Sequence, residues 1–145
     1  EDWSRVMRIN LDGAFYACRA AAPYLKKSGK NGRIINLSSQ AALNGTAHGV
    51  HYGASKAALL GLTYCLAKEL GPDGITVNAI LPGRIDTEML AYATPERRAQ
   101  WLQSTPLGRF GDTADIAELA VFLASDKGGY ITGAKINVNG GLSTG

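Results

Sequence analysis

Residues 33–80, RIINLSSQAALNGTAHGVHYGASKAALLGLTYCLAKELGPDGITVNAI, decide the fold. The run Arg33–Leu37 is short, apolar and bounded by turn residues, which reads as a buried strand. Residues 40–50 are small, polar and glycine-containing, and read as a loop. Residues 52–70 form a long helix ended by Gly71-Pro72-Asp73-Gly74. Residues 75–80 are a second strand, stopped by Pro82-Gly83. A strand, a helix and a strand in this order predict a parallel pair with a right-handed crossover.

Working outward, Trp3, Val6, Met7, Leu11, Phe15, Cys18, Ala22 and Leu25 recur at helical spacing, so residues 3–28 are expected to be helical. Asp2 is the candidate N-cap, and Pro23 should bend or tighten the last turns. Residues 28–32 read as the helix stop and a loop. On the other side, Pro95 opens a short helix over 95–104, and Asp112 or Thr113 caps another over 114–124. Lys135–Val138 is a third strand, followed by Gly140-Gly141 and a polar tail. The order predicts an α/β fold with a parallel sheet. Three strands are few for such a sheet, and one edge should lie bare, so the chain reads as part of a domain. Its start at Glu1, already in a helical pattern, fits a fragment or a processed chain.

The 145 residues carry a net charge of +3 and are 46% hydrophobic, ordinary for a globular protein. Arg5, Arg8, Arg19, Lys26, Lys27, Lys30 and Arg33 lean toward the N-terminal quarter. Acidic residues and apolar runs separate them, so they read as a solvated helix face rather than a nucleic-acid footprint. Cys18 and Cys65 lie in apolar helical patterns and read as buried free thiols, which fits a reducing compartment. No apolar run reaches the ~18 residues of a membrane span, and no stretch reads as a signal peptide. The cytoplasm is the expected compartment.

Tyr52 and Lys56 stand one helical turn apart, where side chains are neighbours. An ammonium beside a phenol favours the phenolate, so such a tyrosine can exchange a proton near neutrality. The spacing alone decides nothing, because Tyr64 and Lys68 repeat it. Position does. Tyr52 opens its helix on the side where the strands of a parallel sheet end and ligands gather. Tyr64 lies about 18 Å further along the axis and reads as packing or surface. The end of the first strand also delivers Ser38 and Ser39; alternation turns only one hydroxyl toward that side. Gly53-Ala54-Ser55-Lys56-Ala57 is close to a nucleophile elbow, but a loop precedes it and both histidines, His48 and His51, come before it, so hydrolysis by that route is not expected. The histidines read as loop surface or pocket lining, and no spacing suggests a metal.

Asn10 in VMRINLDGAF, Ser39 in GRIINLSSQAA, Tyr52 and Lys56 in HYGASKAAL, then ITVNAILPGRIDTEM, PLGRFGD and ITGAKINVNGG resemble the C-terminal portion of a short-chain dehydrogenase/reductase. The resemblance covers essentially the whole chain and is nearest the bacterial 3-oxoacyl-[acyl-carrier-protein] reductase type. The thirteen-residue step from Ser39 to Tyr52 is the family's usual one, and it selects Ser39 over Ser38. The resemblance implies a Rossmann-like parallel sheet with flanking helices, of which this chain carries the second half, its last three strands. The N-terminal dinucleotide-binding half, with its glycine-rich turn, is absent from the sequence.

By the same resemblance, the chain is an NAD(P)-dependent oxidoreductase moving a hydride between nicotinamide and a carbonyl or secondary alcohol. Tyr52 is its general acid or base, Lys56 lowers the tyrosine's pKa and holds the nicotinamide ribose, Ser39 orients the substrate oxygen and Asn10 holds a relay water. Pro82, Gly83, Ile85 and Thr87 lie along the nicotinamide end of NAD or NADP. Residues 88–105, with Met89, Leu90, Tyr92, Trp101 and Leu102, form the substrate lid or plain packing. Helices 3–28 and 52–70 pair across a dimer interface, and the last helix and strand make a second, giving a tetramer. The small face Ala54, Ala57, Ala58 and Gly61 permits close helix packing or serves the core. The alternative is a truncated, non-enzymatic remnant that only oligomerises through its helices.

Overall fold

The computed structural model describes residues 2–29, 31–47 and 49–144, and leaves the Met89 side chain aside. The readings of Glu1, Lys30 and His48, and of the Met89 side chain, lie outside the described residues.

Helix α1 (Asp2–Met7) runs through a π-helical turn (Arg8–Asp12) into α2 (Gly13–Lys27). The helical spacing is right, but one turn is wider than the pattern shows: the Gly13 N–H reaches the Arg8 carbonyl, five residues back. Asp2 is not a cap. It stands inside the first turn, its carboxylate 3.7 Å from the Arg5 guanidinium. Pro23 stays within α2, which ends where the Ser28 N–H meets the carbonyls of Tyr24 and Leu25.

Strand β1 (Arg33–Leu37) leads to a short helix, α3 (Ala41–Asn44), where a loop was expected. The helix forms because the Ser39 hydroxyl accepts the Ala41 N–H at 3.1 Å, an anchor that small residues can then follow. Helix α4 (Val50–Leu70) starts two residues earlier than its apolar pattern. It closes through a 3₁₀ turn (Gly71–Asp73) on Gly74, whose φ of +74° suits glycine.

Strand β2 (Thr76–Pro82) runs through Pro82 rather than stopping before it. Proline is tolerated there because it ends the strand, and its carbonyl still accepts the Gln40 N–H at 3.1 Å. A further short helix, α5 (Glu88–Ala91), precedes α6 (Pro95–Gln103), which has proline at its first position and Thr94 Oγ1 accepting the Arg97 N–H. Asp112 caps α7 (Thr113–Ala124) in a reciprocal box with Asp115. Strand β3 (Lys135–Val138) completes the chain's regular structure.

The strands lie in the order β1-β2-β3, all parallel, with Ile34 opposite Val77 and Ile80 opposite Ile136. Central β2 is buried from Thr76 to Leu81, as a strand covered on both faces should be. Val77 packs with Cys18, Ile34, Ala67 and Leu70 from α2, β1 and α4, and Ala79 and Leu81 pack with Leu60. Helix α7 lies against β1 and β2. Among the described residues β1 pairs on one side only, and a groove of about 280 Å³ lined by Ala14, Ala17, Cys18 and Ile35 runs beside it.

Cys18 is buried, and burial pushes its thiol pKa up. Cys65 is exposed, against expectation, because the α4 face carrying Ala57, Gly61 and Tyr64 also turns outward. Ala54 and Ala58 are half-buried. Among the described residues no helix is long and apolar enough to cross a membrane.

Candidate active site

The carboxyl end of β1 and the first turns of α4 meet at Lys56. Its Nζ donates to the Leu37 carbonyl at 2.8 Å and stands 5.8 Å from the centre of the Tyr52 ring. Partial burial lowers the lysine's pKa, because a less hydrated ammonium is less stable. Tyr52 itself is 38% exposed. Its hydroxyl meets no hydrogen-bond partner among the described residues.

Ser38 and Ser39 are both buried but do different things. Ser38 Oγ donates to the Lys56 carbonyl at 2.7 Å, which spends its hydrogen. Ser39 Oγ accepts the Ala41 N–H, and its own hydrogen stays available for an acceptor. The hydrogen bonds therefore favour Ser39 as the hydroxyl able to hold a substrate oxygen.

Asn10 lies in the π-helical turn, a local geometry that recurs at functional sites. Its Nδ2 donates to Ser55 Oγ at 3.0 Å, and Ser55 Oγ donates to the Tyr52 carbonyl at 2.8 Å. His51 Nδ1 accepts the Tyr52 N–H at 2.7 Å. His51, expected as loop surface or pocket lining, lies in the first turn of α4, and Ser55 carries no expected role at this site. A serine three residues after a tyrosine on one helix is the signal that points to Ser55.

Pro82, Gly83, Ile85 and Thr87 follow β2. The Gly83 N–H donates to the Val138 carbonyl at 2.9 Å, and a Cβ at Gly83 would lie 2.6 Å from Asn139 Cα. Within the chain, its close approach is thus to the end of β3. Ile85 forms a bridge with Gly111, and Thr87 precedes α5 with its Oγ1 3.4 Å from the Ile85 carbonyl.

The 88–105 segment divides. Trp101 packs between the guanidiniums of Arg84 (5.5 Å) and Arg97 (5.2 Å), and Arg84 Nη1 donates to the Trp101 carbonyl at 2.8 Å. Leu90 and Leu102 are half-buried, whereas Tyr92 is 91% exposed. Tyr64 is surface, as the spacing implied, and among the described residues no cation lies over its ring. A cavity of about 390 Å³ lined by Arg84, Thr105, Leu107, Asn137 and Asn139 contains none of Ser39, Tyr52 and Lys56.

A family model described as enoyl-(acyl carrier protein) reductase matches residues 1–143. The (3R)-3-hydroxyacyl-CoA dehydrogenase of Rattus norvegicus is 44% identical over 98% of this chain and 55% of its own length. The 3-oxoacyl-[acyl-carrier-protein] reductase of Thermotoga maritima is 42% identical over 98% of this chain and 57% of its own. The solved 3-oxoacyl-[acyl-carrier protein] reductase of Brucella melitensis superimposes with a TM-score of 0.92 at 40% identity, covering 99% of this chain and 54% of that one. The chain spans about half the length of the curated relatives it matches.

Proposed function

This chain belongs to the short-chain dehydrogenase/reductase family, and on that premise we propose that it carries the proton-transfer site of an NAD(P)-dependent oxidoreductase. The substrate is a carbonyl compound or secondary alcohol. A 3-oxoacyl thioester is the first to try, since relatives with 3-oxoacyl and 3-hydroxyacyl names are over 40% identical. The observation that carries the reading is the Lys56 ammonium, tied to the end of β1 and set beside an exposed Tyr52.

The residues fit one end of the cofactor. Lys56 uses one N–H on Leu37 and keeps two for ribose hydroxyls; Pro82, Gly83, Ile85 and Thr87 are the remaining candidates to line the nicotinamide. The nicotinamide, when bound, supplies the hydride exchange with the substrate carbon. In the reducing direction Tyr52 gives its phenolic proton to the substrate oxygen, and Ser39 donates a hydrogen bond to the same oxygen. The Lys56 charge favours the phenolate that remains. Oxidation runs the same transfers backward, with Tyr52 as base. Asn10, on the neighbouring helix, orders the water that restores the proton.

The whole protein is a homo-oligomer, dimer or tetramer. Phe15 and Tyr16 of α2 and Gly61 and Tyr64 of α4 are exposed, as are Val121 and Phe122 of α7 and Tyr130 before β3, an apolar load that partner helices can cover.

The test is oxidation of NADH and NADPH by the full-length protein with a 3-oxoacyl thioester. Tyr52→Phe should lower turnover by about 10²–10⁴-fold with the far-UV circular dichroism unchanged. A Tyr52→Phe protein as active as its parent overturns the reading.

A further inference from the structure

The backbone of Tyr52 is held by side chains at both its polar groups, His51 at the N–H and Ser55 at the carbonyl. Ser55 is fully buried, yet its hydroxyl touches two elements. It gives its hydrogen to the Tyr52 carbonyl on α4 and takes one from the Asn10 amide, 45 residues away in the π-helical turn. A buried serine in a helix can satisfy itself by bonding back to the preceding turn alone. That habit explains the Tyr52 contact and leaves the Asn10 contact unexplained.

We infer that Ser55 is a positioning residue: its hydroxyl fixes the Asn10 side chain against the turn that carries Tyr52, and so sets the spacing of the two groups around the reacting oxygen. The inference rests on the function proposed above. Neighbouring contacts point the same way, because Ser38 ties the Lys56 carbonyl to the end of β1 at 2.7 Å. The turns bearing Tyr52 and Lys56 are thereby pinned to both flanking elements. Alanine at 55 removes both bonds at once. Asn10 Nδ2 then loses its acceptor, and the first turn of α4 loses this hydrogen bond to the π-helical turn.

The test is steady-state kinetics of the full-length protein with Ser55→Ala, Asn10→Ala and the double variant, normalised to folded protein. Ser55→Ala should lower kcat by about 10–100-fold, the cost of a small misplacement of reacting groups, with the KM for NAD(P)H within about twofold. The double variant should be no slower than the slower single variant, because residues acting as a unit are non-additive. Parent-like kcat in Ser55→Ala, or multiplicative losses in the double variant, overturns the inference. A Tyr52→Phe control separates the two levels: if Tyr52→Phe is inactive and Ser55→Ala keeps the parent's kcat, only the inference falls. If Tyr52→Phe stays active, the proposed function falls with it. Should Ser55→Ala lose the parent's far-UV spectrum, Ser55→Cys is read instead. It keeps a weak S–H donor and should fall between alanine and the parent; parent-like kcat again overturns the inference.

Discussion

Lys56 Nζ donates to the Leu37 carbonyl at 2.8 Å, a bond that carries a charge from helix α4 onto the last residue of strand β1. The lysine is held where its ammonium is partly stripped of water, and its pKa falls accordingly. A position kept for stability alone would favour an uncharged side chain there. Lys56→Met should therefore cut turnover by at least about 100-fold, while the thermal midpoint holds or rises. The check is a thermal melt beside the kinetics. A variant that loses stability and activity together would make the lysine a structural tie only.

Gly83 separates packing from cofactor contact. A Cβ there meets Asn139 Cα at 2.6 Å and Asn139 Cβ at 2.7 Å. Asn139 cannot step aside, because it is buried and its Oδ1 and Nδ2 hold the Gly141 N–H and the Ser143 carbonyl, each at 3.0 Å. Gly83→Ala should cost about 1–3 kcal/mol, read as a lower urea midpoint. If the glycine instead serves close approach to the nicotinamide, the midpoint stays and the KM for NAD(P)H rises.

These two positions show how far sequence reaches. Short apolar runs bounded by turn residues mark the strands, and helical spacing with its stop signals marks the long helices. It also marks Tyr52 against Tyr64, since only one of them opens a helix. What leaves no trace is any contact made by one residue across elements. The widened turn at Arg8–Asp12 keeps an ordinary helical pattern, and Gly83 suits a close backbone approach without showing that Asn139 is what lies against it. Cys65 sits in an apolar stretch, but α4 carries apolar residues all round, so periodicity cannot say which face turns out. The role of Ser38 depends on a carbonyl eighteen residues away.

Gly61 tests the exposed face of α4. Gly61 is exposed and nothing lies within 4 Å of a Cβ built there, so a side chain can leave the helix toward solvent within one copy of the chain. In a helix interior, replacing glycine also raises helix propensity, by about 0.5–1 kcal/mol. Gly61→Arg should leave the helical content and the fold intact yet lower the mass of the full-length protein in light scattering from oligomer toward monomer. An unchanged oligomer would place the interface on another face.

Arg109 and Asp115 govern the response to acid. The guanidinium grips the carboxylate with Nη1 and Nη2 at 2.8 and 2.9 Å, and Asp115 Oδ2 also accepts the Asp112 N–H at 2.9 Å. The arginine beside it, and then that N–H, hold the Asp115 carboxyl down at about 2. Unfolding returns it to about 3.9, so between those values the unfolded chain binds more protons. The resulting stabilisation is complete above about pH 4 and drains away as pH falls toward 2. Because Asp115 also closes the capping box of α7, which packs on β1 and β2, the loss loosens the sheet that carries the site. Arg109→Gln keeps N–H donors but removes the charge, which brings the Asp115 carboxyl back toward its ordinary range. Its urea midpoint should lie below the parent's at pH 7, with the gap narrowing steadily from pH 4 to pH 2.5. A gap that stays constant across that range would mean the pair contributes through packing rather than charge.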